Sequence, residues 1–276
     1  YEFIENYIKH DIEFDTIPCI NEFKETNYLK IKNKIIEEYK NQDILDDIIP
    51  EYNDITNKSI DFITNICLDN IINEYFDIYK LKKQVSYLQS LKLPEQRSDE
   101  WYAIRKRILT SSSLASALNE DHFKSRYELI LDKVITEETP YVTNEITEWG
   151  VKYEEIATKF YELINNVEIL EFGLIPHPDF PIFGASPDGI CSNNSPKEYI
   201  GRMLEIKCPP KRKFTKSVPK HYWYQMQGQL ECCNLNKCDF LQVKLEEYES
   251  YEEYEKDIYQ LDNVIKNGYN NKGLPK

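Results

Sequence analysis

Apolar residues recur with helical spacing through much of the first ninety residues. From Ile60 to Tyr79 (IDFITNICLDNIINEYFDIY) they fall at positions 62, 63, 66, 67, 71, 72, 75, 76 and 79, a stripe of period 3.6 broad enough to pack on a partner helix. Tyr28 to Tyr39 (YLKIKNKIIEEY) reads as a helix as well. The pattern predicts a helical N-terminal extension over residues 1–90, followed by a proline-bearing linker, Leu91 to Arg97 (LKLPEQR), and a second unit over 91–276. Ser98 then opens a helix: its hydroxyl can cap free N–H groups, and Asp99 and Glu100 suit the positive end of the helix dipole. A further helix is predicted to start at Thr110 or Ser111, another to run from Phe123 to Glu138, and a long one from Glu145 to Asn165. For the long helix the predicted buried stripe is Trp149, Tyr153, Ile156, Phe160 and Leu163 or Ile164.

Beyond residue 166 the period shortens to two. Val167 to Ile175 and Ile182 to Ser186 read as strands joined by the turn HPDFP, with His177 a loop residue. Arg202 to Cys208 alternates in the same way, Pro219 starts a helix (KHYWYQMQGQLECC), and Asp239 to Glu246 is the last strand before an acidic helix over Tyr251 to Lys266. Strands interleaved with helices place residues 91–276 in the α/β class.

Composition narrows this only a little. With 276 residues and 41% apolar content the chain can bury a proper core, and it holds no run of eighteen apolar residues that would span a bilayer. The amino end lacks the cationic and apolar regions of a signal peptide, and the first residue is not methionine, as in a chain that begins inside a longer product. Seven cysteines without a C-x-x-C pair argue against both a disulfide framework and a zinc site, so ordinary buried thiols in a reducing compartment are expected. Abundant Tyr, Ile, Asn and Lys with few glycines match AT-rich coding, common in large DNA viruses.

A formal charge of −14 looks unsuited to nucleic acid, because phosphate binding relies on Lys and Arg displacing counterions. The distribution changes that picture. Between Gly201 and Lys220 seven basic residues (Arg202, Lys207, Lys211, Arg212, Lys213, Lys216, Lys220) face one acid, Glu205, giving +6 locally, while the acids gather in residues 1–83 and after Glu246. Such a band can hold DNA in one groove while acidic outer faces repel it.

Next to that band lies FGASPDGICSNNSPKEYIGRMLEIKCPP, residues 183–210. Asp188 sits in a Ser-Pro-Asp-Gly turn, and Glu205 and Lys207, two apart on a strand, share a face while Leu204 and Ile206 point into a core. Two carboxylates and an ammonium then converge at the mouth of a hairpin. Mg²⁺ takes oxygen ligands, typically one or two carboxylates plus water and substrate phosphate. A neighbouring ammonium can orient water or offset charge on the phosphate, so the combination suits a metal-dependent phosphodiesterase. Either fragment alone is a common surface feature; the order and spacing together raise the signal.

This is the PD-(D/E)xK arrangement, and SPDGIC…LEIKCP resembles the lambda-exonuclease, or YqaJ-like, family of viral recombinases from about Trp101 to Leu245. The resemblance implies a central mixed β-sheet flanked by helices. Trp101…Arg105…Ser112 is similar to the family's W-x-x-x-R…T-(S/A)-S stretch, whose arginine and serine help to hold a terminal 5′ phosphate. WGVKYEEIA resembles W-G-x-x-Y-E and implies Glu154, rather than its neighbour Glu155, as the helix-borne acid. YQMQGQL resembles the Q-x-Q helix and implies Gln225; the glutamines at 225, 227 and 229 cannot all face one way at 100° per residue, and His221 is read as a surface histidine.

The implied enzyme is a deoxyribonuclease in which Asp188, Glu205, the Ile206 carbonyl and Glu154 hold Mg²⁺ or Mn²⁺, with Lys207 and Gln225 beside the scissile group and Lys211, Arg212 and Lys213 on the DNA backbone. The resemblance further implies 5′-to-3′ digestion of double-stranded DNA ends, a single-strand annealing protein as partner and a ring-shaped trimer, while the lack of an eighteen-residue apolar run leads to no expected membrane partner. The compact members lack the helical extension of residues 1–90, which leaves the oligomeric state open. A structure-specific endonuclease on the same core is the alternative. A non-catalytic scaffold is disfavoured, because it should have lost a charged member of the set and none is missing.

Overall fold

The computed structural model describes residues 28–34, 36–37, 53–135, 144–211, 214 and 216–256. Residues 28–34 are helical, and α1 runs from Asn53 to Ser90, longer at both ends than the periodic stripe suggested. Its last turns are not a free extension. Val85 and Leu88 are buried in one apolar cluster with Phe172, Ile175, Ile190, Met203, Cys233 and Leu235, and the Gln84 amide donates to the Cys233 carbonyl at 2.6 Å. Burying two such side chains contributes about 1.5–3 kcal/mol each. The expected linker is packed as well: Leu91 and Leu93 lie on the same cluster.

Ser98 caps α2 (Asp99–Arg107) by accepting from the Trp101 N–H. There follow β1 (Leu109–Thr110), a 3₁₀ turn (Ser111–Ser113) and the single-turn α3 (Leu114–Ala117), so the helix expected from Thr110 or Ser111 is broken into two short pieces. Helix α4 (Arg126–Val134) begins three residues later than predicted, because Ser125 and Glu128 form a reciprocal capping box that fixes its start.

Helix α5 spans Glu145–Asn165 as predicted and ends at Asn166, whose left-handed backbone (φ 52) closes the helix. Its buried face is Tyr153, Ala157 and Tyr161, spaced by four, with Trp149 packed beside them. Ile156, Leu163 and Ile164, predicted to be inside, are exposed. The small Ala157 allows close approach to the sheet, and the Tyr161 hydroxyl adds a hydrogen bond to Asp239 at 2.7 Å, so a face containing two tyrosines wins over the more hydrophobic one.

Among the described residues seven strands make two sheets. The run from Val167 to Ile175 is not one strand: β2 (Ile169–Leu170) and β3 (Ile175–Pro176) belong to different sheets. Between them Gly173 lets the chain touch Pro94, whose carbonyl would lie 1.9 Å from a Cβ there. With β4 (Phe183–Ala185), β5 (Gly189–Cys191), β6 (Met203–Lys207) and β7 (Cys238–Gln242), the orders are β1-β4-β3 and β2-β5-β6-β7. The second is the expected mixed sheet: β6 is antiparallel to β5 and parallel to β7, and the crossover is α6 (Lys220–Cys233).

Alternation divides this sheet cleanly. Cys191, Leu204 and Ile206 meet α5, while Ile190 and Met203 meet α1 and the end of α6. Helices therefore cover both faces, and the unit is a mixed α/β layer structure. His177 is buried in its turn, where Nδ1 accepts the N–H groups of Asp179 and Phe180 at 3.1 Å each. Cys191, Cys208, Cys232, Cys233 and Cys238 are free thiols.

Candidate active site

The alternation of β6 decides where its charges go. Leu204 and Ile206 fill the α5 side, so Glu205 and Lys207 take the side of Met203, facing α6. Asp188 ends the Ser-Pro-Asp-Gly turn just before β5, the neighbouring strand, and its carboxylate accepts the Ile206 N–H at 2.6 Å. The turn and the strand are thereby tied together, and Asp188, Glu205, Ile206 and Lys207 meet at one end of the sheet.

Glu205 is fully buried, although Glu-x-Lys on a strand would ordinarily be solvated. Three donors satisfy it: Gln225 reaches Oε1 at 2.7 Å, Gln229 reaches Oε2 at 2.7 Å, and the Lys207 ammonium closes on Oε1. Gln225 and Gln229 stand one turn apart on α6, so both can reach the same carboxylate, while Gln227 points to solvent. Burial disfavours the Lys207 ammonium, yet the charges of Glu205 and Asp188 outweigh it and hold its pKa above the usual lysine range. Lys207 is thus a fixed cation rather than a base, 5.1 Å above the Tyr222 ring.

Burial, then repulsion from Glu205 and Glu154, pushes the Asp188 carboxyl well above the ordinary carboxylate range; Lys207 and the Ile206 N–H pull the other way without cancelling it. Among the described residues no group of three or more His, Cys, Asp or Glu side chains is gathered tightly enough to enclose an ion. The Asp188–Glu205 pair with the Ile206 carbonyl nevertheless meets the oxygen-donor requirement of Mg²⁺, which keeps much of its water shell. Cys208, next along the strand, offers no thiolate, since burial lifts its pKa to about 11.

Glu154 and Glu155 part as helical geometry requires. Glu155 is exposed; Glu154 is half-buried at the α5 end of the site, close enough to act on Asp188. Its carboxylate is paired with Arg97, Nη2 to Oε2 at 2.6 Å. The adjacent Gln96 donates to the carbonyls of Phe172 and Pro187 at 2.8 and 3.2 Å, fixing the residue that precedes Asp188. Gln96, Arg97 and Gln229 were missed in the sequence. Gln229 carried a usable signal, the i, i+4 spacing from Gln225, whereas the two linker residues reach the site only through tertiary folding.

Arg105 and Ser112 are together: Nη2 donates to the hydroxyl at 3.0 Å, and Thr110 Oγ1 lies 3.1 Å from that hydroxyl. The guanidinium also stacks 4.1 Å from the centre of the Trp101 ring, and the Trp101 indole N–H donates to Ser186 at 3.0 Å, two residues before Asp188. Ser112 sits inside the 3₁₀ turn that runs straight into the single-turn α3, so the regular helix expected there is replaced by two short pieces. Arg97, Trp101, Tyr102, Arg105 and Lys152 line a groove of about 570 Å³ along this side. Lys211 is exposed; Arg212 and Lys213 fall outside the described residues.

Residues 100–236 match the family model of the YqaJ-like viral recombinase domain. An uncharacterized protein of Acanthamoeba polyphaga mimivirus is 35% identical over 221 residues, which cover 72% of this chain and 40% of the relative. A protein of African swine fever virus is 30% identical over 161 residues, 50% of this chain and 46% of the relative. The chain thus spans less than half the length of these curated relatives. Among solved structures, an alkaline exonuclease from Laribacter hongkongensis has a TM-score of 0.44 at 23% identity, covering 61% of this chain and 95% of that one. A complex of that exonuclease with dAMP gives 0.42 at 29%, covering 53% and 74%.

Proposed function

The chain belongs, through residues 100–236, to the YqaJ-like viral recombinase domain family, and on that footing we propose that it is a metal-dependent deoxyribonuclease that digests double-stranded DNA from its ends. The observation that carries this reading is the convergence of Asp188, Glu205 and Lys207 on one end of β6, beside a groove that holds Arg105. Asp188, Glu205, the Ile206 carbonyl and Glu154 would hold Mg²⁺ or Mn²⁺. Such an ion lowers the pKa of water and neutralises phosphate oxygens during in-line attack.

The side chains do the rest. Lys207, held as a cation, orients the attacking water and offsets the charge that builds on the phosphate. Gln225 and Gln229 fix Glu205 in one orientation, so its lone pairs are preorganised before substrate arrives. Arg105 offers a planar fork to a terminal phosphate, with the Ser112 hydroxyl beside it. Lys211, Arg212 and Lys213 would follow the DNA backbone through charge alone. Residues 1–90 are proposed as an extension docked on the nuclease core by the last turns of α1, and a single-strand annealing protein as the recombination partner. No helix among the described residues is long and apolar enough to cross a membrane.

Glu154→Gln is expected to lower cleavage about a hundredfold and to be partly rescued by high Mn²⁺, while Glu155→Gln stays near wild type, since loss of a positioned catalytic group costs on this order. The reverse pattern in a steady-state assay would move the helix register by one residue.

The mode of attack is tested with linear, nicked-circular and covalently closed duplexes in Mg²⁺, the linear form bearing either a 5′ phosphate or a 5′ hydroxyl. A terminal phosphate carries extra charge for Arg105, so the phosphorylated end should be digested about tenfold faster, and Arg105→Ala should erase most of that preference. Equal rates on both ends together with cutting of closed circles would promote the endonuclease reading.

A further inference from the structure

Arg97 adopts a left-handed backbone, φ 68, that glycine accepts and side chains rarely do. Its surroundings hold it there. On one side Gln96 is bonded to Phe172 and Pro187, and Gly173 presses against Pro94; on the other, Ser98 caps α2. A backbone kept in a sparsely populated region by so many contacts points to a side chain wanted in one place. That place is the boundary between the carboxylate cluster and the groove: one nitrogen of the fork meets Glu154 at 2.6 Å, and the residue also lines the groove with Trp101, Tyr102, Arg105 and Lys152. Both members of the pair reach solvent, with side chains 45% and 30% exposed, so the contact can exchange.

We propose that Arg97 is a shared cation for which Glu154 and a DNA phosphate compete, so that DNA arriving in the groove draws the guanidinium away and leaves Glu154 to the divalent ion. Arg97 is then a positioning residue that couples the two binding events. Guanidinium forks bind carboxylates and phosphates by the same paired geometry. Whatever loosens the Arg97–Glu154 pair from one side favours binding on the other, and linkage makes that help reciprocal. The proposal rests on reading Glu154 as a ligand and the groove as the DNA path.

The test uses the full chain with Ca²⁺ as the probe ion, a 5′-phosphorylated duplex, and Arg97→Gly, which removes the fork while relieving the backbone. Calorimetry gives Ca²⁺ affinity without DNA; fluorescence anisotropy gives DNA affinity in Ca²⁺ and in EDTA. For a partly exposed ion pair the expected change is about threefold. DNA-free Arg97→Gly should bind Ca²⁺ about threefold more tightly than wild type, and the gain in DNA affinity on adding Ca²⁺ should shrink by a similar factor. Arg97→Lys should return Ca²⁺ affinity toward wild type, and the melting temperature of Arg97→Gly should not fall.

Unchanged or weaker Ca²⁺ binding by Arg97→Gly overturns the proposal, as does a Ca²⁺-dependent gain in DNA affinity equal to wild type. Asp188→Asn separates this from failure of the metal reading. If it leaves Ca²⁺ binding intact, the ion site itself is wrong; if it abolishes binding while Arg97→Gly behaves as wild type, only the shared cation falls.

Discussion

Glu205→Ala is expected to abolish cleavage and to cost about 3–5 kcal/mol of folding stability at once, the usual result of removing one partner from a buried charged pair. The sequence alone suggests that this residue sits in an open cleft and can be replaced without harm to the fold. Its complete burial argues otherwise, because alanine would strand the Lys207 ammonium and the amides of Gln225 and Gln229 around a void. Each amide left without an acceptor accounts for about 1–3 kcal/mol of that loss. Urea denaturation read by circular dichroism, run beside a cleavage assay, checks both effects. A folded variant with the wild-type midpoint would show that the carboxylate is not the hub of this network.

Asp188→Asn should separate the two effects. The carboxyl already resists ionisation, first through burial and then through repulsion from Glu205 and Glu154, so a neutral amide removes unfavourable charge. Its oxygen can still accept the Ile206 N–H. We therefore expect a melting temperature at or slightly above wild type in EDTA, with cleavage down about a thousandfold or more, equivalent to roughly 4 kcal/mol of transition-state stabilisation. A drop of several degrees in EDTA would mean that Asp188 acts as a structural anion.

The legible part of this molecule is the part encoded locally. Alternation in β6 placed Leu204 and Ile206 inward and Glu205 and Lys207 on the opposite side, and the cap at Ser98 marked the start of α2. The 3.6 period likewise gave the extent of α5. What local pattern could not give is which of two apolar faces a helix buries: on α5 the choice fell to Tyr153, Ala157 and Tyr161 because they fit the sheet and one reaches Asp239. Nor does periodicity show that a run of strand-forming residues will be shared between sheets, as Val167 to Ile175 is. Gln96 and Arg97 were hidden for the same reason. Proline and polar composition say linker, and only the approach of Phe172, Pro187 and Glu154 from distant parts of the chain makes them part of the site.

The docking of α1 into the α/β core sets a timetable for biosynthesis. Val85 and Leu88 leave the ribosome first, and Met203, Cys233 and Leu235, against which they pack, follow only later in the chain. At a translation rate of about 5–20 residues per second, the roughly 150 residues between Leu88 and Leu235 take on the order of ten to thirty seconds to appear. Throughout that interval the helix can form but cannot cover its apolar side, leaving an adhesive surface on the nascent chain. The helix and the core close together late, in a step of high contact order, and until then that apolar surface is open to meeting another copy.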